Sequence, residues 1–203
     1  MIKESDRFAF GDVLKNPDMA ERYEAMISMG EAGSLPTEEL GRLCLRDDEP
    51  FIRKRALAML ATRREKGYLD ILCEALRDRD PMVRIIAAEH LHACALEGEK
   101  VRLVEVLKPL LRDSDPGVRT RVASLLINSG EKGITELVLE VFFEVLDRGR
   151  NQEEIDRHAV LVALLRDRKV PKHLSKKLDS LAEEKKLRGL LALRRAGIEA
   201  ASS

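Results

Sequence analysis

The chain has no tryptophan, two tyrosines and five phenylalanines among its 203 residues, so aromatic side chains make up only 3%. That scarcity argues against a stacking platform for unpaired bases. Charge of one sign is also missing: 36 Lys and Arg balance 36 Asp and Glu, which leaves no overall basic footprint for nucleic acid. Three cysteines, an odd number without disulfide-like spacing, argue for a reducing compartment. Cys44 in Leu43-Cys44-Leu45 and Cys73 after Leu72 read as small buried hydrophobes. No apolar run is long enough to span a membrane, and Met1 to Asp6 lack the apolar core of a signal peptide. The expectation is a soluble, cytoplasmic protein. Neither a Gly-rich phosphate loop nor a nucleophile, histidine and acid arrangement is present, so no catalytic residue, cofactor or metal is expected.

Charged residues are abundant, at 35%, and they recur in a pattern. Leu111-Arg112-Asp113-Ser114-Asp115-Pro116-Gly117-Val118-Arg119 runs into a small-aliphatic stretch ending at Leu126; Leu76 to Leu91 repeats it, and Leu45 to Leu60 does so less cleanly. Pro50, Pro81 and Pro116 lie 31 and 35 residues apart, and Pro17 lies 33 before Pro50. Periods of this length mark stacked helix pairs. Asp80, Asp115 and Asn16 stand where a side-chain oxygen caps a helix, with proline next at a position that needs no N–H donor. Beyond the prolines, Ile52/Ala56/Leu60, Val83/Ala87/Leu91 and Val118/Val122/Leu126 recur at four-residue steps, the buried stripe of a helix. Arg53, Arg84 and Arg119 each follow Asp47, Asp78 and Asp113 by six residues, an offset that allows pairing within or between repeats.

At Asp78-Arg79-Asp80-Pro81-Met82-Val83-Arg84 with Ala87, Ala88 and Leu91, and again from Asp113 to Leu126, the chain resembles the HEAT repeat, in particular its short PBS-lyase-like form. The resemblance covers residues 45 to 130 best. It implies an all-α fold, an α-α superhelix or HEAT-like solenoid, here of about five to six antiparallel helix pairs. It also implies a binding scaffold whose second (B) helices line the concave side.

Read in order, residues 1–15 form a lead-in docked by Phe8, Phe10, Val13 and Leu14, residues 16–170 hold the repeats, 171–195 a basic capping helix pair, and 196–203 a loose tail. The B helices are expected at Pro17 to Met29, Pro50 to Thr62, Pro81 to Ala95, Pro116 to Asn128 and Ile155 to Leu165. Thr37 is expected to cap the helix that follows it, and Pro109 to bend or shorten its own. Residues 1 to 50 carry 6 basic and 12 acidic side chains, whereas 171 to 195 carry 8 basic and 3 acidic. Such polarity suits either scattered solvated faces or ends that meet different partners.

Aligning the B helices by their apolar starts puts Arg22, Arg55, Ile86, Arg121 and His158 in one row. Met26, Met59, His90, Leu125 and Val162 form the next, one turn on. With Ile85, these residues make a candidate groove for a protein partner, an acidic or amphipathic segment. The alternative is that Met26, Met59, Leu125 and Val162 simply pack on adjacent repeats. His90, His92 and Cys94 bring only two ligands to one face, too few for zinc. Glu89-His90 reverses the His-Glu pairs of deoxyhypusine hydroxylase, a HEAT-like iron enzyme. Two other readings stand behind the scaffold: a nucleic-acid-binding, glycosylase-like HEAT protein, kept open by the arginine row, and a bilin-lyase-like subunit. The basic cap (Lys172, Lys176, Lys177, Lys185, Lys186, Arg188, Arg194 and Arg195) could meet RNA or acidic lipid.

Overall fold

The computed structural model describes residues 12–98, 102–130, 132–148, 151–165 and 170–198; most of the expected lead-in and tail, Phe8 and Phe10 included, lies outside them. Among the described residues there are eleven α-helices and no strand. The fold is an all-α solenoid of helix pairs, divided into two compact units, up to residue 99 and from residue 100 on.

The first unit runs α1 (Met19–Glu31), α2 (Thr37–Arg46), α3 (Pro50–Arg63), α4 (Tyr68–Ala75) and α5 (Pro81–Leu96). Helix starts follow the proline signal. Asp80 accepts from Val83 N, and Pro50 and Pro81 each open a helix where an N–H would have no partner. The α1 start differs from the expectation: Asp18, not Asn16, is the cap, accepting from Ala20 N and Glu21 N, so the helix begins at Met19. Thr37 does not cap α2 either; it is the first helical residue, and Pro36 at the cap position offers no side-chain oxygen.

α2 packs on α3 and α4, and α3 and α4 both pack on α5. Ile52, Ala56, Leu60, Val83, Ala87 and Leu91 are fully buried. Their alternation of aliphatic and alanine lets helices approach within side-chain contact, and each large member stabilises by about 1.5–3 kcal/mol on burial. Cys44 is also fully buried, and desolvation pushes its thiol up to about 12, so it stays protonated at neutral pH. Cys94 is buried, accepting from Tyr68 Oη at 3.6 Å, and Cys73 is half-buried. Of the lead-in, Leu14 is buried and its carbonyl accepts from Arg42 Nη2, while Val13 is exposed.

The second unit comprises α6 (Leu103–Leu107), a 3-10 turn (Lys108–Arg112), α7 (Pro116–Asn128), α8 (Ile134–Arg148), α9 (Gln152–Ala163), α10 (Val170–Leu178) and α11 (Glu183–Arg195). Pro109 sits inside the 3-10 turn. Lacking an N–H and crowding the preceding turn, it ends the α-helix at Leu107, as its position in the sequence requires. Val118, Val122 and Leu126 are fully buried on α7. α8 buries eight apolar side chains, with Phe142 and Phe143 edge to face at 5.3 Å between ring centroids and Lys177 Nζ 4.6 Å above the Phe143 ring. α9 packs on α7, α8 and α11. Gly189 lets α11 come close to α8 and α10: a Cβ there would stand 2.8 Å from Leu146 Cδ2 and 3.0 Å from Leu178 Cδ2. Ion pairs Lys185–Asp147 and Arg195–Asp156, both 2.5 Å, tie α11 to α8 and α9.

Candidate partner-binding face

Two networks set the B helices: an internal one that holds them and an outer one left to solvent. Arg53, 1% exposed, donates Nη1 to the carbonyls of Asp47 (2.7 Å) and Asp48 (3.1 Å) in the loop before its own helix. Its Nε and Nη2 donate to both carboxylate oxygens of Asp78 at 2.7 Å, in the loop before the next B helix. Arg22 does the same, with Nη1 on Asn16 and Pro17 carbonyls and Nε/Nη2 on Asp47 at 3.0 and 3.1 Å. The aspartates in turn accept from the backbone N–H two residues on, at Glu49 (2.9 Å) and Asp80 (2.8 Å). The six-residue spacing thus serves both purposes: a carbonyl contact within a repeat and a carboxylate fork between repeats. Such bidentate, charge-assisted bonds fix register as well as add energy.

Counted from the N-cap, this arginine is the fourth residue in every case: Asp18/Arg22, Glu49/Arg53, Asp80/Arg84 and Asp115/Arg119. That register corrects the alignment drawn from the apolar starts. Arg22 belongs with Arg53, and Met26, fully buried, with the equally buried Leu57; the α1 residues level with Arg55 and Met59 are Glu24 and Ser28. The shift arises because Pro17 precedes the Asp18 cap, whereas Pro50 follows the Glu49 cap. On α9 the cap is Asn151, accepting from Glu154 N at 2.9 Å, so His158 and Val162 fall on core positions. His158 is 6% exposed and Val162 1%; Arg157, exposed, is level with Arg121. Leu125 is buried as well.

Within the first unit the remaining residues come together. Arg55 is exposed, and Met59, Ile85, Ile86 and His90 are half-buried on α3 and α5. Beside them stand two large apolar groups the sequence reasoning missed, Phe51 (50% exposed) and Met82 (48%), both at the second position after their caps. Their recurrence at one register position next to the signature prolines was the available signal. Tyr23 of α1 stacks against Phe51 with ring centroids 5.1 Å apart. Further along, Ile27, Gly30, Arg55, Ala58, Met59 and Arg63 line a shallow cleft of about 300 Å³ between α1 and α3. In the second unit, Arg121 and Arg157 are the exposed members of the equivalent row.

His158 has an internal role. Its Nδ1–H donates to the Glu154 carbonyl at 2.8 Å, and burial, together with Arg119 and Arg157 nearby, holds its pKa below the usual value of 6.5. Burial lowers that of His90 as well. The unfolded chain therefore takes up protons first as pH falls. Stability contributed by neutral His158 is whole above about pH 6.5 and is lost as pH drops from there through the folded-state value. Urea midpoints should fall between about pH 7.5 and pH 5.5, and His158→Gln should flatten that fall. An equal fall in the variant would refute the assignment.

No helix among the described residues is long and apolar enough to cross a membrane. Groups of three or more His, Cys, Asp or Glu that could hold a metal ion are absent from the same residues. Among curated proteins none matches the sequence. An engineered protein with a crystal structure aligns at 21% identity over 93% of this chain and 95% of its own, with a TM-score of 0.42. A family profile described as HEAT repeats matches three overlapping stretches, residues 9–92, 37–126 and 69–165. Together these stretches run from residue 9 to residue 165, most of the chain, and take in the helices from α1 to α9. The chain belongs to the HEAT-repeat family.

Proposed function

We propose that the protein is a non-enzymatic interaction scaffold, working in the cytoplasm, that binds a protein segment on the solvent-exposed face of its B helices, the side expected to be concave. The observation that carries this reading is the alignment of exposed Phe51 and Met82 at one register position, with Arg55 and Ile86 one turn further on. Exposed aromatic and methionine side chains beside arginine form the composition that protein interfaces favour and solvent does not. Methionine adapts its shape to a partner, and the arginines suit acidic side chains flanking an amphipathic segment.

Affinity capture with the wild type and with Phe51→Glu/Ile86→Glu tests it. Both positions are solvent-accessible, so the variant should keep its helical circular dichroism while losing at least about tenfold in partner affinity, a change of 1.4 kcal/mol or more. A protein partner that survives nuclease and raised salt, and is lost with the variant, is the expected result. Binding that vanishes with nuclease or salt and ignores the variant would replace this reading with nucleic-acid binding through the basic C-terminal helices.

A further inference from the structure

Single exposed leucines are ordinary on a protein surface. α11 instead carries two of them one turn apart, Leu187 at 57% and Leu191 at 43% exposure. Counting about 100° per residue, Glu184, Leu187, Leu191 and Arg194 lie within about 80° of arc. Gly189, which seats the helix against Leu146 and Leu178, falls on the opposite side. The four residues therefore form one stripe on the solvent side of α11. Its ends are exposed and opposite in charge, acidic at Glu184 and basic at Arg194. Neither makes an ion pair among the described residues. The neighbouring cations Lys185, Lys186 and Arg195, by contrast, pair with Asp147, Asp179 and Asp156.

The order of the stripe is self-complementary. Glu184 and Arg194 each stand five residues from position 189, and Leu187 and Leu191 each stand two from it. A second α11 laid antiparallel across the first sets Leu187 of each copy against Leu191 of the other. The same register sets Glu184 of each copy against Arg194 of the other. A parallel arrangement would face glutamate with glutamate and arginine with arginine. We infer that this stripe is a two-fold contact with a second copy of the chain, an antiparallel pairing of α11 with α11. The leucines supply the affinity, because exposed ion pairs add little energy; the charges fix direction and register. A four-residue stripe is small beside the roughly 1,200 Å² of a stable interface, so a Kd on the order of 0.1 mM is expected. This inference rests on α11 alone and is independent of the proposed binding of a protein segment on the B helices.

Sedimentation velocity of the full chain at low ionic strength tests this, over about 10 μM to about 1 mM protein. The sedimentation coefficient of the wild type should rise with concentration toward that of a dimer. Glu184→Arg sets arginine against arginine across the pair, and Arg194→Glu sets glutamate against glutamate. Each variant alone should associate at least about tenfold more weakly. Mixed in equal amounts, the two should associate at least as well as the wild type, because every charge then meets its opposite. Leu187→Glu/Leu191→Glu, at exposed positions, should keep its helical circular dichroism and stay monomeric throughout. A wild type that remains monomeric overturns the inference; phosphatidylserine vesicles that bind it but not the leucine variant would then give the stripe to a lipid surface. Association that ignores the leucine and charge changes overturns it too, because the contact would lie elsewhere. A mixture of the single variants that associates no better than either alone rules out the antiparallel register.

Discussion

Replacing Asp78 with alanine should lower the unfolding free energy by about 3–5 kcal/mol, read as a drop in the urea midpoint at unchanged slope. The substitution removes few atoms, but it leaves Arg53, 1% exposed, with Nε and Nη2 facing no acceptor and its charge still in the interior. It also removes the carboxylate that accepts from Asp80 N, and so loosens the entry to α5. A paired design separates the two costs. If the penalty is mainly the uncompensated charge, Arg53→Met combined with Asp78→Leu should recover most of the loss, because a well-packed apolar pair can match a buried ion pair. Should the double variant be as unstable as the single one, backbone positioning in the loop would be the dominant contribution.

The second large effect is expected in the other unit. Phe142→Ala should cost about 3–5 kcal/mol, the range for emptying a buried aromatic position that its surroundings cannot refill. Phe142 is 1% exposed on α8 and is held edge to face by Phe143. Phe143→Ala is the internal comparison: its ring is 6% exposed and lies beneath Lys177 Nζ, whose flexible chain can settle into part of the space. Its loss should be smaller. Midpoints in urea check both, and equal losses would mean that α8 does not distinguish its two aromatic positions.

Where proline and an acidic cap coincide, the helices were legible from residues alone. Pro50, Pro81 and Pro116 open α3, α5 and α7, and the three fully buried stripes run from them as periodicity requires. The 3-10 break at Pro109 follows from the same chemistry. Legibility failed where that coincidence failed. Pro17 stands ahead of its cap instead of behind it, and Asn151 opens α9 with no proline, so the flanking rows slipped by one or two residues. A slip of one on a helix turns a side chain by about 100°, enough to exchange groove for core, and it did so for His158 and Val162. The constant six-residue spacing of aspartate and arginine was visible in sequence. That one guanidinium serves both the loop six residues before it and the loop 25 residues after it was not, because it depends on how neighbouring pairs stack.

The double service of these arginines bears on how such an array lengthens. Arg22 and Arg53 each reach forward to a carboxylate, and Asp47 and Asp78 each receive from behind, so a duplicated repeat of this kind would arrive with its own counter-charge. Deleting or inserting a whole repeat rejoins a matching pair at the seam. A part-repeat does not; it strands one charge in the interior. Within the first unit, these two pairs therefore favour a change in length by whole helix pairs.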